Sequence, residues 1–246
     1  MGDQLVEAVY QGDERGLARV LESGVEVDSA GDDGLTALYV ASVQGEAALV
    51  RLLLAAGADP DRLSADADLP LCGAACGGYA EVVRALLGAG ARPDLREEHG
   101  FTALTWAVRQ GHGETVDALL DGGADPDLPG PDGVPPLVAA ARRGGPASVR
   151  ALLAHGARDR AAALAEARDW RDRDVEAELR AGLVEAYGPD KETRTTRTRH
   201  ADGTETIEVE VLRDGTPAAG NNQENGHAAI VALLETSGTG RPEPSI

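Results

Sequence analysis

A short opening recurs every 33 residues: Thr36-Ala37-Leu38-Tyr39, Leu69-Pro70-Leu71-Cys72, Thr102-Ala103-Leu104-Thr105 and Pro135-Pro136-Leu137-Val138. Self-similarity at such a period restricts a chain to stacked supersecondary units, none of which can bury its apolar face alone. Seven residues after each central leucine stands a glycine, at Gly45, Gly78, Gly111 and Gly144. Apolar residues follow at helical spacing: Leu49, Val50, Leu52 and Leu53; Val82, Val83, Leu86 and Leu87; Val116, Leu119 and Leu120; Val149, Leu152 and Leu153. Each unit closes on Gly-Ala and an acidic turn, from Gly57-Ala58-Asp59-Pro60-Asp61 to Gly156-Ala157-Arg158-Asp159. Glycine beyond the last leucine stops a helix, and proline beyond it prevents resumption. The unit reads helix, glycine turn, helix, extended finger.

These openings, the Gly78-Tyr79 and Gly111-His112 turns, the V-V-x-x-L-L helix and the G-A-D-P-D close resemble ankyrin repeats, in four registered copies. A degenerate earlier copy places Leu5 and Gly12 in register and carries the polar Asp3, Gln4, Glu7, Asp13 and Glu14 of a cap. The resemblance implies an all-α ankyrin-repeat solenoid over residues 1–187, with units about 1–30, 31–63, 64–96, 97–129 and 130–159 and a capping helix pair 160–187. Two departures stand out. The histidine usual after the opening leucine is replaced by Tyr39, Cys72, Thr105 and Val138, and the third repeat begins Leu69-Pro70 in place of Thr-Pro with Asp68, after Ala67, on the usual glycine side of its finger turn, so that finger is expected to be distorted or mobile. With Lys191 as the only lysine and with abundant Ala, Gly and Arg, a GC-rich bacterial source is expected.

After Gly188-Pro189-Asp190 the period changes to two. Thr193 to Arg199 and Thr206 to Val211 alternate around Asp202-Gly203, which predicts a β-hairpin. A two-residue turn there sets Arg197 opposite Glu208 and His200 opposite Glu205, and collects Ile207, Val209 and Val211 on one face. An isolated hairpin is marginal, so that face is expected to dock on the solenoid or on a partner. Gly226 to Leu234 resembles the second half of another repeat, whose first half, through Asn221 to Asn225, is too polar for an inner helix, so the segment reads as a remnant repeat with an inserted hairpin. Residues 188–236 therefore read as hairpin plus terminal helix, and 237–246 as a disordered tail.

The 42 acidic against 23 basic side chains, with a pI near 4.6, disfavour nucleic-acid binding. No charged-then-apolar leader or membrane-length apolar run is present, Val6 breaks a myristoylation pattern, and a cytoplasmic monomer off the membrane is expected. Cys72 and Cys76, without further nearby Cys or His ligands, read as reduced structural thiols. His99, His112, His155, His200 and His227 sit in no nucleophile, metal or phosphate motif, and the glycines from 73 to 78 lack the lysine of a phosphate loop. The acidic turns lack a calcium-loop ladder and read as turns. Neither an enzyme nor a cofactor is expected.

The resemblance implies a partner protein held on the concave face. The implied contact positions are Asp32, Asp33, Leu35, Val43 and Gln44; Ala65, Asp66, Asp68 and Cys76; Glu98, His99, Phe101, Arg109 and Gln110; and Pro131, Asp132, Val134, Arg142 and Arg143. Phe101, the only phenylalanine, is the leading anchor with Arg109 beside it, while Trp106 is expected in the core. A groove acidic at its first fingers and basic at Arg142 and Arg143 orients a partner of reverse polarity. Both a scaffold and an inhibitor or immunity-type protein masking a basic partner satisfy these features.

Overall fold

The computed structural model describes residues 2–65, 67–200 and 204–236. The helices are α1 (Gly2–Tyr10), α2 (Glu14–Glu22), α3 (Ala37–Gln44), α4 (Ala47–Ala55), α5 (Pro70–Gly77), α6 (Ala80–Gly88), α7 (Ala103–Gln110), α8 (Gly113–Asp121), α9 (Pro136–Arg143), α10 (Pro146–Ala154), α11 (Arg160–Arg171) and α12 (Val175–Tyr187). Strands β1 (Thr193–Arg199), β2 (Glu205–Arg213) and β3 (Thr216–Glu224) and a last helix, α13 (His227–Thr236), follow. The chain divides into two compact units, Met1–Pro136 and Leu137–Ile246.

In Met1–Pro136 the first helices begin where threonine can cap them. Thr36 Oγ1 accepts the Tyr39 N–H at 3.2 Å, and Thr102 and Thr105 exchange side-chain and backbone bonds in a capping box. α5 lacks that threonine and has Pro70 in its first turn, where a missing N–H costs nothing. Gly45, Gly78 and Gly111 end α3, α5 and α7 in the left-handed region, at φ 76°, 77° and 83°. A side chain at Gly45 would strike the Tyr79 ring, and one at Gly78 the His112 ring. These two turns are thus covered by the residue that opens the next repeat's second helix.

α1, α3, α5 and α7 stack in one layer and α2, α4, α6 and α8 in another. The sequence period becomes three ladders of buried side chains: Leu5, Leu38, Leu71 and Leu104; Leu17, Val50, Val83 and Val116; Leu53, Leu86 and Leu119. Each rung contributes about 1.5–3 kcal/mol by leaving water. The acidic turns do more than reverse the chain. The Asp28 carboxylate accepts the Asp59 N–H at 3.2 Å, Asp61 the Arg92 N–H at 3.1 Å and its guanidinium at 2.8 Å, and Asp94 the Asp125 N–H at 3.1 Å. One carboxylate per turn therefore ties each repeat to the next, and burial pushes the Asp28 carboxyl above its usual value.

The second finger holds Ala67 at φ 57°, at the register of Gly34, Gly100 and Gly133. An alanine there bears a left-handed penalty that glycine does not, partly offset by glycine's greater freedom when unfolded. Ala67→Gly is expected to stabilise the protein by about 0.5–1 kcal/mol, read as a higher urea midpoint.

In Leu137–Ile246, α11 packs chiefly on α13 instead of on the following α12. The 160–187 helix pair that the spacing predicts is therefore not the pair that forms. α13 carries the apolar stripe Ile230, Val231 and Leu234 together with the turn histidine, whereas α12 turns Leu179 and Leu183 to the sheet. His227 Nε2–H donates to the Arg142 carbonyl at 3.1 Å, as His112 Nε2–H donates to the Cys76 carbonyl at 3.1 Å, each acceptor lying two residues before a turn glycine. α11 and α13 thus make one repeat, and α12 with the sheet is inserted between its two helices. Arg160 of α11 caps this closure by donating to the Leu234 and Leu233 carbonyls at 2.8 and 3.1 Å.

The sheet has order β1-β2-β3, all antiparallel. Ile207, Val209 and Val211 share the buried face, and Val209 and Val211 cluster with Leu183 of α12. Two expectations change. Arg197 faces Ile207 and Arg199 faces Glu205, one residue off the expected register. The His200 N–H donates to the Thr204 carbonyl at 2.9 Å, which makes the connection three residues long, and a one-residue slip turns β1 over. Arg197 consequently meets Glu176 of α12 at 2.7 Å, and Thr195 and Arg180 reach the same carboxylate at 2.9 and 3.0 Å. These donors, Arg197 first, hold the Glu176 carboxyl well below its usual range. The second change is that the polar stretch through Asn222 forms the third strand, β3. The expected Asp202-Gly203 turn and the tail 237–246 lie outside the described residues.

His227 is fully buried, and among the described residues its Nδ1 has no hydrogen-bond partner. Burial pushes the imidazole below its usual value of 6.5, against the opposing pull of the Arg142 carbonyl. The folded state therefore stays neutral while the unfolded chain takes up a proton, so stability falls as pH drops below about 6.5. His227→Gln is expected to flatten that slope in denaturation midpoints measured across this range.

Candidate protein-binding site

The third finger and α7 build the most distinctive surface of Met1–Pro136. Phe101, on the finger's return, stacks on Trp106 of α7 with ring centroids 4.3 Å apart and planes at 24°. The Arg109 guanidinium, one helical turn on, lies 5.7 Å from the centre of the Phe101 ring. Both rings are half-buried, so Trp106 belongs to a surface shelf and not to the core position the sequence suggests. The indole bears a polar N–H that a dry core could not satisfy. Here Trp106 Nε1–H donates to Glu97 at 2.8 Å.

Glu97 is the site residue that sequence reasoning missed. Its other carboxylate oxygen accepts the Leu69 N–H at 3.4 Å. Burial pushes the Glu97 carboxyl up against these donors, and burial likewise pushes the Cys72 thiol up. A signal existed: position 97 falls in register with Gly31, Ser64 and Gly130, so a carboxylate there breaks the pattern.

The remaining expected positions fall into three groups. Asp33 and Asp132 build their fingers, accepting the Leu35 N–H at 3.0 Å and the Val134 N–H at 3.1 Å, and both carboxylates stay exposed. Asp68 accepts the Tyr39 hydroxyl at 3.1 Å, and the Gln110 amide donates to Cys76 Sγ at 3.6 Å. Asp32, Glu98, His99, Gln44, Ala65 and Pro131 are exposed, Leu35 and Val134 are half-buried, and Val43 packs beneath Gly73. Asp66 lies outside the described residues.

Arg142 and Arg143 lie in Leu137–Ile246 and are engaged within the chain. Arg142 donates to Glu166 at 2.7 Å, which holds that carboxyl below its usual range. Arg143 donates to the carbonyl and side chain of Asn222 in β3. Trp170 Nε1–H shares Glu166 at 3.0 Å and lies under the Arg173 guanidinium at 4.6 Å. Among the described residues, no group of three or more His, Cys, Asp or Glu could hold a metal ion, and no helix is long and apolar enough to cross a membrane.

The family model described as ankyrin repeats in three copies matches residues 5–97 and again residues 71–162, together more than half of the sequence. The chain belongs to the ankyrin-repeat family. No curated protein matches it significantly. Ankyrin repeats are generally protein–protein interaction modules, and the family is typically non-enzymatic. The match ends within α11, where the split ankyrin repeat begins.

Proposed function

We propose that this ankyrin protein is a non-catalytic, monomeric, cytoplasmic binding module. It holds a partner protein on the fingers and first helices of Met1–Pro136, with Phe101, Trp106 and Arg109 at the centre. The supporting observation is the stacked shelf itself. Two stacked rings and a guanidinium over one of them, with the Trp106 indole held by Glu97 before any partner arrives, are the residue types that dominate interfaces, and their pre-organisation lowers the entropy cost of binding. The excess of carboxylates, 42 against 23 basic groups, favours a second role on the same face, as an inhibitor or immunity-type protein covering a basic partner.

Affinity capture with the natural protein beside a Phe101→Ala/Arg109→Ala double variant tests this. Loss of a central aromatic–arginine pair is expected to weaken a captured partner about 30-fold or more, with an unchanged melting profile. Capture indifferent to both substitutions would move the site elsewhere.

A further inference from the structure

Met1–Pro136 contains 24 acidic and 8 basic side chains, so it carries −16 of the chain's net charge of −19. Its cations are mostly committed. Arg19 pairs with Asp13, Arg51 with Glu81, Arg84 with Glu114 and Arg92 with Asp61. Arg96 donates to the Gly100 and Pro129 carbonyls, and Arg109 lies over Phe101. Among the described residues none of them forms an ion pair with Asp32, Glu98 or Asp132, whose carboxylates are exposed on the fingers. Glu98 and Asp132 sit on the two adjacent fingers around Phe101, which are joined by the Arg96 bond to Pro129 at 2.8 Å.

From this we infer that the shelf takes an arginine- or lysine-rich segment of a partner protein, with one apolar residue seated on Phe101 and Trp106 and its cations against Glu98, Asp132 and Asp32. This rests on the protein-binding reading above and adds the chemistry of the occupant. The aromatic pair supplies the area that burial needs, and the unpaired carboxylates supply the sign of the partner. Phosphate backbones and anionic lipid surfaces are repelled by the same charge. An acidic partner would have to bring its carboxylates beside these, with Arg62 of the second finger as the exposed cation outside the ion pairs named above.

The test uses the full chain and two synthetic peptides of about twelve residues, one with arginines around a single central leucine and one with glutamates in place of the arginines. Fluorescence anisotropy is expected to show binding of the basic peptide only, weakening about tenfold between roughly 50 and 200 mM salt. Asp32→Asn/Glu98→Gln/Asp132→Asn should weaken it about tenfold, whereas an equal charge change elsewhere, Glu22→Gln/Glu46→Gln/Asp117→Asn, should change it less than about twofold. Equal losses from the two triple variants would reduce the effect to net charge, and equal binding of the acidic peptide would overturn the inference outright. If Phe101→Ala weakens binding while the finger triple variant does not, the basic-segment inference fails and the protein-binding face survives. If neither changes it, both fail.

Discussion

Gly144→Ala is expected to cost the Leu137–Ile246 unit more than about 3 kcal/mol, whereas Gly156→Ala should cost only about 1 kcal/mol. Both glycines are left-handed, at φ 81° and 85°, so the conformational penalty is shared. The surroundings differ. A Cβ on Gly144 would lie 2.0 Å from the Glu224 carbonyl oxygen and 2.8 Å from the His227 ring, while one on Gly156 meets nothing within 4 Å. The obstacle at Gly144 is backbone and cannot swing away, so β3 and α13 must lift off the last turn. Denaturation midpoints measure the difference, and amide exchange in α13 should accelerate in the first variant alone. Similar losses at the two positions would mean that the split repeat does not close on Gly144.

Leu86→Ala is expected to destabilise Met1–Pro136 by about 3–5 kcal/mol. Leu86 is fully buried in α6, which packs between α4 and α8, so the void opens between two repeat contacts. Neighbouring helices are held by their own ladders and can collapse only partly into it. Leu63, half exposed, provides the contrast: its truncation should shift stability by no more than about 0.5 kcal/mol. Urea denaturation of the two variants checks both figures.

Periodicity made the helices legible because the same physical demand is repeated at the same positions. Leu38, Leu71 and Leu104 announce one another, and the turn glycines mark where each helix must stop. What periodicity could not reveal was pairing across a gap. Nothing in Val175 to Tyr187 forbids a cap, and only the turn histidine at His227, bonded to Arg142, shows which helix completes the repeat. The strand register failed for a related reason. A short apolar alternation fixes which face of β2 is buried, but the length of the connection decides which face β1 presents, and Asp-Gly is compatible with more than one length. At the site, Phe101 stood out by rarity. Trp106 did not, since its helical position fits a core residue until the Glu97 acceptor is seen.

The bond between His227 and Arg142 also orders events in time. The split repeat draws one helix from 160–171 and the other from 227–236, so on a ribosome its first half emerges long before its second. Until α13 is delivered, the inner side of α11 has no mate, and a nascent protein truncated anywhere within the insertion would leave that apolar edge uncovered. That side of α11 is thus covered only on synthesis of α13, and the insertion sets the interval during which it stays open.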